Sequence, residues 1–249
     1  MLDPAHDDPQ LIAQVADFYG RALKQSSEAL AYLRDRGVTN GDALDVFRIG
    51  YADRTLGLTL PVKQVRAGKS IRDRLQTLGL YRGSGHEHFN GCVTFPITDA
   101  TGRIVDMYGR KIGTKLRKGT PLDMWLGDER RGVWNTEGLR GGEILLLPTV
   151  FDALTFWSVG YRNVTFGELT PDLTAVLTEF QVKRVLVGNE ELAPPLTALG
   201  LEVFHLRFPN GMTAAEYAKG FADPARALGA IIRKAHWLGK GQAPRLVVP

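Results

Sequence analysis

A chain of 249 residues has room for one large domain or two small ones. Its 44% hydrophobic and 23% charged content is that of an ordinary globular protein. No apolar run approaches the roughly 20 residues a membrane helix needs, so no membrane partner is expected. The net charge of +4 permits nucleic acid as a partner without demanding it. The single cysteine, Cys92, excludes an internal disulfide and a Cys-rich zinc site. The acidic, polar stretch Met1 to Asp8 lacks the character of a secretory signal, and a cytoplasmic location is expected.

In chain order, Leu11 to Leu23 reads as an amphipathic helix with Leu11, Ile12, Val15, Phe18 and Ala22 on one side. Ser26-Ser27-Glu28 caps a second helix, Ala29 to Arg36, stopped by Gly37, and a short third helix covers Gly41 to Phe47. Residues 51–90 read as less regular. Val93 to Ile97 and Ile104 to Arg110 form a hairpin around the turn Asp99 to Arg103. Pro121 to Asn135 reads as irregular, and Arg140-Gly141-Gly142 marks a domain boundary. Beyond it, strands at Ile144 to Leu147, Asn163 to Phe166, Val185 to Val187 and Glu202 to Leu206 alternate with helices, which predicts βαβ units around a mainly parallel sheet. In such sheets ligands bind at the carboxyl ends of the strands, here Pro148-Thr149, Gly167-Glu168 and Asn189-Glu190-Glu191, with Asp152 one helical turn in. A last helix is expected over Pro224 to Trp237 and a loosely attached tail from Leu238 to Pro249.

The basic residues concentrate in the first half. Lys63, Arg66, Lys69, Arg72 and Arg74 face few acids, and Arg110, Lys111, Lys115, Arg117 and Lys118 continue the run. A basic stretch of this length is a candidate phosphate track, the bland alternative being a solvated face.

Several groups of residues then resemble a known family together. Arg48-Ile49-Gly50-Tyr51-Ala52 follows a helical segment, and Phe89 to Ile97 precedes a turn with Asp99 and Gly102-Arg103. Tyr108-Gly109-Arg110 closes that hairpin, and Phe151-Asp152-Ala153-Leu154 follows an apolar strand. Their order resembles the catalytic core of bacterial DnaG-type DNA primases, in particular primase-like proteins of mobile elements that end in a Toprim domain. The resemblance spans roughly residues 18–240. It implies an α+β N-terminal basic lobe over residues 1–140, an α/β Toprim domain over 141–240 and a tail at 241–249. It further implies DNA replication, single-stranded DNA or RNA as partner, and Mg²⁺ or Mn²⁺ held on clustered carboxylates.

The family's acids are missing at most of their places. The first strand ends in Pro148 where the family has Glu; Asp152 is kept. The family's Asp-x-Asp pair falls on Glu190 and Leu192, or on Asn189 and Glu191, and the last acids fall near Thr213 and Ala215, leaving Glu216. The favoured expectation is a pseudoenzyme with a decayed metal site that binds nucleic acid, with no cofactor. The alternative is an active nucleotidyltransferase or nuclease with a site rebuilt from Asp152, Glu168, Glu190 and Glu191, of which Asp152 and Glu190 are the named metal candidates. An acid in a helix's first turn also gains from the helix dipole without any catalytic role, which is the plain reading of Asp152. A third reading is an assembly module, with Trp125, Trp134, Trp157 or Trp237 exposed and a protein partner supplying template recognition. The zinc domain that precedes the core in primases is not expected here.

Other chemistry is set aside. No GxxxxGK[ST] is present. The five histidines (His6, His86, His88, His205, His236) form no ligand set, and Cys92 reads as core rather than nucleophile.

Overall fold

A computed structural model describes Leu2 and residues 7–244, so His6 and the last five residues of the expected tail lie outside the described residues. The chain divides into two compact units. One runs up to Tyr32 and resumes over Gly41–Gly132; the other holds Leu33–Asn40 and everything from Val133 on. The sequence placed its boundary near residue 140 and assigned no early segment to the second unit.

The first unit begins with α1 (Asp8–Gln25). Asp7 accepts from the Gln10 amide at 2.9 Å while the Gln10 side chain accepts from the Asp7 amide at 3.2 Å, a reciprocal cap that satisfies two free N–H groups. Its buried face, including Leu11, Val15, Tyr19 and Leu23, is the periodic set seen in the sequence. The Ser26 hydroxyl caps α2 (Ser27–Asp35) through the Ala29 amide, and α3 (Asp42–Val46) follows. Four antiparallel strands in the order β1-β2-β3-β4 make the sheet: β1 (Gly50–Tyr51), β2 (Cys92–Thr98), β3 (Ile104–Lys111) and β4 (Asp123–Trp125). Two elements correct the sequence reading. The stretch taken as less regular contains a three-turn helix, α4 (Arg66–Thr77), and the irregular stretch after Pro121 contains β4. In α4 only Gly68, Ile71 and Leu75 are buried. That spacing is helical, but its first member has no side chain and the rest of the helix, Ala67 apart, is polar.

Glu87 is buried beside α1. It accepts from the Tyr19 hydroxyl and from the Leu56 amide, both at 3.1 Å, and so ties helix to loop. Burial raises its pKa above the ordinary carboxylate value, although its hydrogen bonds oppose the shift. The protonated form is therefore favoured by folding. Stability is fullest below the unfolded pKa and declines as pH rises through the folded value. Glu87→Gln should flatten that decline while keeping an acceptor, whereas Glu87→Ala should cost about 1–3 kcal/mol. Urea titrations at pH 4 to 7 check both; an unchanged pH profile in Glu87→Gln would count against the assignment.

The second unit is built on a five-stranded sheet in the order β6-β5-β7-β8-β9. β5 (Glu143–Leu147), β6 (Val164–Phe166), β7 (Arg184–Val187) and β8 (Glu202–His205) are parallel, as expected. The connecting helices are α5 (Val150–Ser158), α6 (Pro171–Glu179), α7 (Ala193–Ala198), α8 (Ala214–Lys219) and α9 (Pro224–Arg233). The last helix stops four residues short of its expected end. His236-Trp237 instead forms β9, antiparallel to β8, with Trp237 packed on Phe204 at 5.0 Å. At the amino ends of three neighbouring strands, Arg184 bridges Glu143 at 3.1 Å and Glu202 at 2.6 Å. At the other edge, Asn135 sits at φ +59° before a 3₁₀ turn (Thr136–Leu139). Its amide nitrogen donates to the carbonyls of Arg162 at 2.9 Å and Val164 at 2.7 Å, beside β6.

Candidate functional site

The carboxyl ends of β5, β7 and β8 carry the candidate catalytic acids. Pro148 follows β5, and its ring lies against Gly188 at the end of β7: a Cβ added at Gly188 would sit 2.4 Å from Pro148 Cδ. The first-strand position is thus filled by an apolar ring fitted to a glycine, with no oxygen donor.

Asp152 lies in the first turn of α5, as expected, and is buried. Thr149, the residue that caps α5, donates its hydroxyl to Asp152 Oδ2 at 2.7 Å. The Ala214 amide, at the start of α8, donates to Oδ1 at 2.8 Å. Oδ2 therefore serves the cap of α5 itself, and Oδ1 joins α5 to α8. Burial raises the Asp152 pKa, with these hydrogen bonds opposing and the nearby Glu216 charge adding to the rise. Glu216 itself caps α8 with Thr213, accepting from its amide at 2.9 Å and its hydroxyl at 3.0 Å.

Glu190 and Glu191 are exposed. Glu190 lies 3.3 Å from His205 Nδ1, and Glu191 contacts Asn189. Burial lowers the His205 pKa and the Glu190 charge works against that shift. Glu168 is exposed after β6. Among the described residues, no group of three or more His, Cys, Asp or Glu side chains comes together in a way that could hold a metal ion. A site for Mg²⁺ or Mn²⁺ needs several convergent oxygens. Here Pro148 offers no side-chain oxygen, Asp152 is occupied by two donors, Glu190 lies against His205 and Glu191 against Asn189, so the residues as arranged do not fit such a metal.

Asp152→Ala should accordingly behave as a structural substitution. It strands the buried Ala214 N–H, at a cost of about 1–3 kcal/mol. Asp152→Asn keeps one acceptor and should cost less. Thermal unfolding of both variants measures this; no loss of stability in Asp152→Ala would show that the bonds carry little.

The structure separates the basic residues of the first unit into groups. Arg72 is turned inward, donating to the carbonyls of Pro61 at 2.5 Å, Gly68 at 3.0 Å and Gly57 at 3.2 Å. Arg74 pairs with Asp8 at 2.7 Å. Arg110 pairs with Asp123 at 2.6 Å, its cross-strand neighbour on β4, and Lys111 bonds the Asn90 carbonyl. Sequence reasoning did not foresee Asp123 as a partner, because the strand that delivers it was read as irregular. Lys115, Arg117 and Lys118 are exposed in the loop after β3, and Lys63, Arg66 and Lys69 are exposed before and along α4. Cys92 is buried and free, and burial pushes its thiol up to about 11. His88 Nε2 meets the Trp125 carbonyl at 2.8 Å, and Arg130 stacks over the Trp125 ring at 4.5 Å.

Comparison with known proteins finds similarity to DNA primases. Residues 18–119 match the DNA primase catalytic core, N-terminal domain. The DNA primase of Aquifex aeolicus is 26% identical over 230 residues, covering 84% of this chain and 45% of the relative. That of Staphylococcus aureus (strain MSSA476) is 28% identical over 250 residues, covering 89% and 41%. The chain thus spans less than half the length of these curated relatives. The fold matches the Aquifex aeolicus primase zinc-binding and RNA polymerase domains with a TM-score of 0.72 at 24% identity, covering 96% of this chain and 64% of that one. A DnaG primase catalytic domain bound to ssDNA also matches at 0.72, with 20% identity and coverage of 92% and 79%. No described helix is long and apolar enough to cross a membrane. Residues 18–119 are thus similar to the DNA primase catalytic-core N-terminal domain, and the chain as a whole is similar to part of these DNA primases.

Proposed function

We propose that this protein binds single-stranded nucleic acid on a primase scaffold and does not synthesise primers. In this reading the parallel-sheet unit is a Toprim domain, residues 141–240, whose metal-binding acids have been replaced, in a protein serving a mobile element. The observation that carries it is the Pro148 ring seated on Gly188, together with an Asp152 whose oxygens are taken up by the α5 cap and the Ala214 amide of α8. A structural neighbour is a primase catalytic domain bound to ssDNA, which supports the choice of ligand. Lys115, Arg117 and Lys118 supply cations free to meet phosphates on a loop, and Arg110 and Lys111 lie at its base.

The deciding experiment offers a single-stranded DNA template, labelled ribonucleotides and Mg²⁺ or Mn²⁺, beside anisotropy measurements with the same oligonucleotide. The expected result is binding without product. Metal-dependent product that disappears in a folded Asp152→Asn variant would establish the competing reading, an active nucleotidyltransferase with Asp152, Glu190 and Glu191 in its site. Neither binding nor product would move the function to a protein partner, as the assembly reading holds.

A further inference from the structure

The guanidinium of Arg72 does more than neutralise a helix. It collects three carbonyls, those of Gly57, Pro61 and Gly68, and so folds the strap of residues 57–62 onto the first turns of α4. Gly68 is the seat of that strap: a Cβ added there would lie 2.1 Å from the Val62 carbonyl oxygen and 2.6 Å from that of Pro61. The Val65 amide, donating to the Val62 carbonyl at 3.1 Å, completes the turn into the helix.

The strap and helix start present an unusual surface. Leu58, Val62 and Val65 are 83%, 63% and 46% exposed. Lys63, Arg66 and Lys69 are exposed among them, and no Asp or Glu occurs anywhere between Arg54 and Arg72. Three large aliphatic side chains left in water on a rigidly held segment mark an interaction surface rather than scattered surface residues. The chemistry points away from nucleic acid. Single strands are held by aromatic rings that stack on bases as well as by cations, and no aromatic residue lies between Arg54 and Leu80. A patch that is aliphatic and uniformly cationic is complementary to a segment that is apolar and acidic.

We infer that the Leu58–Lys69 surface docks an acidic peptide segment of a partner protein, with Leu58, Val62 and Val65 receiving its apolar anchors and Lys63, Arg66 and Lys69 its carboxylates. This site is independent of the oligonucleotide reading above, which rests on the loop after β3.

The test uses a phage-displayed library of random dodecamers panned on the full chain, with counter-selection on Leu58→Ser/Val62→Ser/Val65→Ser. These side chains are exposed, so the variant should fold, and its circular dichroism and melting midpoint are compared with the parent. The expected result is enrichment of peptides combining Asp or Glu with Leu, Ile or Phe. A synthetic copy of an enriched peptide should bind at least about tenfold more weakly to the triple-Ser variant and to Lys63→Glu/Arg66→Glu/Lys69→Glu. A (dT)20 oligonucleotide should bind the triple-Ser variant as it binds the parent. No enrichment, or enrichment without acidic residues, overturns the proposal. So does loss of (dT)20 binding in the triple-Ser variant, which would assign the patch to nucleic acid.

Discussion

Replacing Lys115, Arg117 and Lys118 together by Gln is expected to weaken single-stranded DNA binding by at least about tenfold near 0.1 M salt and to lower the slope of log affinity against log salt by about 2. The reasoning is one of released counterions. Each cation that neutralises a phosphate on a single strand contributes about 0.7 to that slope, and these three side chains are exposed on the loop after β3. The cations at the base of the loop are poorer choices for such a test. Removing Arg110 would leave the Asp123 carboxylate without its 2.6 Å partner and disturb the β3–β4 pairing at the same time. Stability of the triple variant should stay within about 0.5 kcal/mol of the parent, since surface substitutions of this kind touch no packed group. Fluorescence anisotropy of a labelled oligonucleotide over a series of salt concentrations gives both quantities. An unchanged slope would remove the loop from the binding surface.

The largest expected effect on stability belongs to Gly37→Val. Gly37 has φ +86°, a region that β-branched residues rarely enter. A Cβ there would also lie 2.5 Å from Thr155 Oγ1 and 2.9 Å from the Ala215 side chain. Neither neighbour can yield cheaply. Thr155 is buried on α5 and donates its hydroxyl to the Phe151 carbonyl at 2.8 Å, and Ala215 is buried in the first turn of α8. Backbone strain and overpacking act together, and the loss should be about 3 kcal/mol or more. Gly41→Ala is the matched control, because nothing lies within 4 Å of a Cβ added there. Urea denaturation followed by tryptophan fluorescence, with three of the four tryptophans in the same unit as Gly37, reads the difference. A Gly37→Val variant as stable as the control would mean that the segment relaxes without cost.

The elements legible in the sequence were those whose burial is periodic and whose ends are marked. Ile144 to Leu147 in the strand Glu143–Leu147 is an unbroken apolar run, and α1 shows its buried face at helical spacing between a capped start and a polar stop. α4 was not legible because Arg72, one of its charged residues, is spent on backbone carbonyls rather than on solvent, and because Gly68 holds a buried position without an apolar side chain. β9 was not legible because Trp237 continues the apolar spacing of α9, while its real partner, Phe204, lies on a strand far back in the chain. At the candidate site the position of Asp152 at the start of a helix could be read directly. Its bond to the Ala214 amide could not, since the two are separated by 62 residues and only the fold brings them together. The basic run shows the same limit: ten cations in sequence became three kinds in space, inward, paired and free.

Asn135 has a bearing on how the protein behaves at high concentration. β6 is the outermost strand on its side of the sheet, and an outermost strand normally offers a ladder of vacant carbonyls to any passing chain. Here the Asn135 amide has already taken the carbonyls of Arg162 and Val164, and the Thr165 hydroxyl is bonded to the Trp134 carbonyl. A side chain thus does the work of a further strand without presenting an edge of its own. On this edge the same geometry therefore leaves an incoming strand without the two carbonyls it would need.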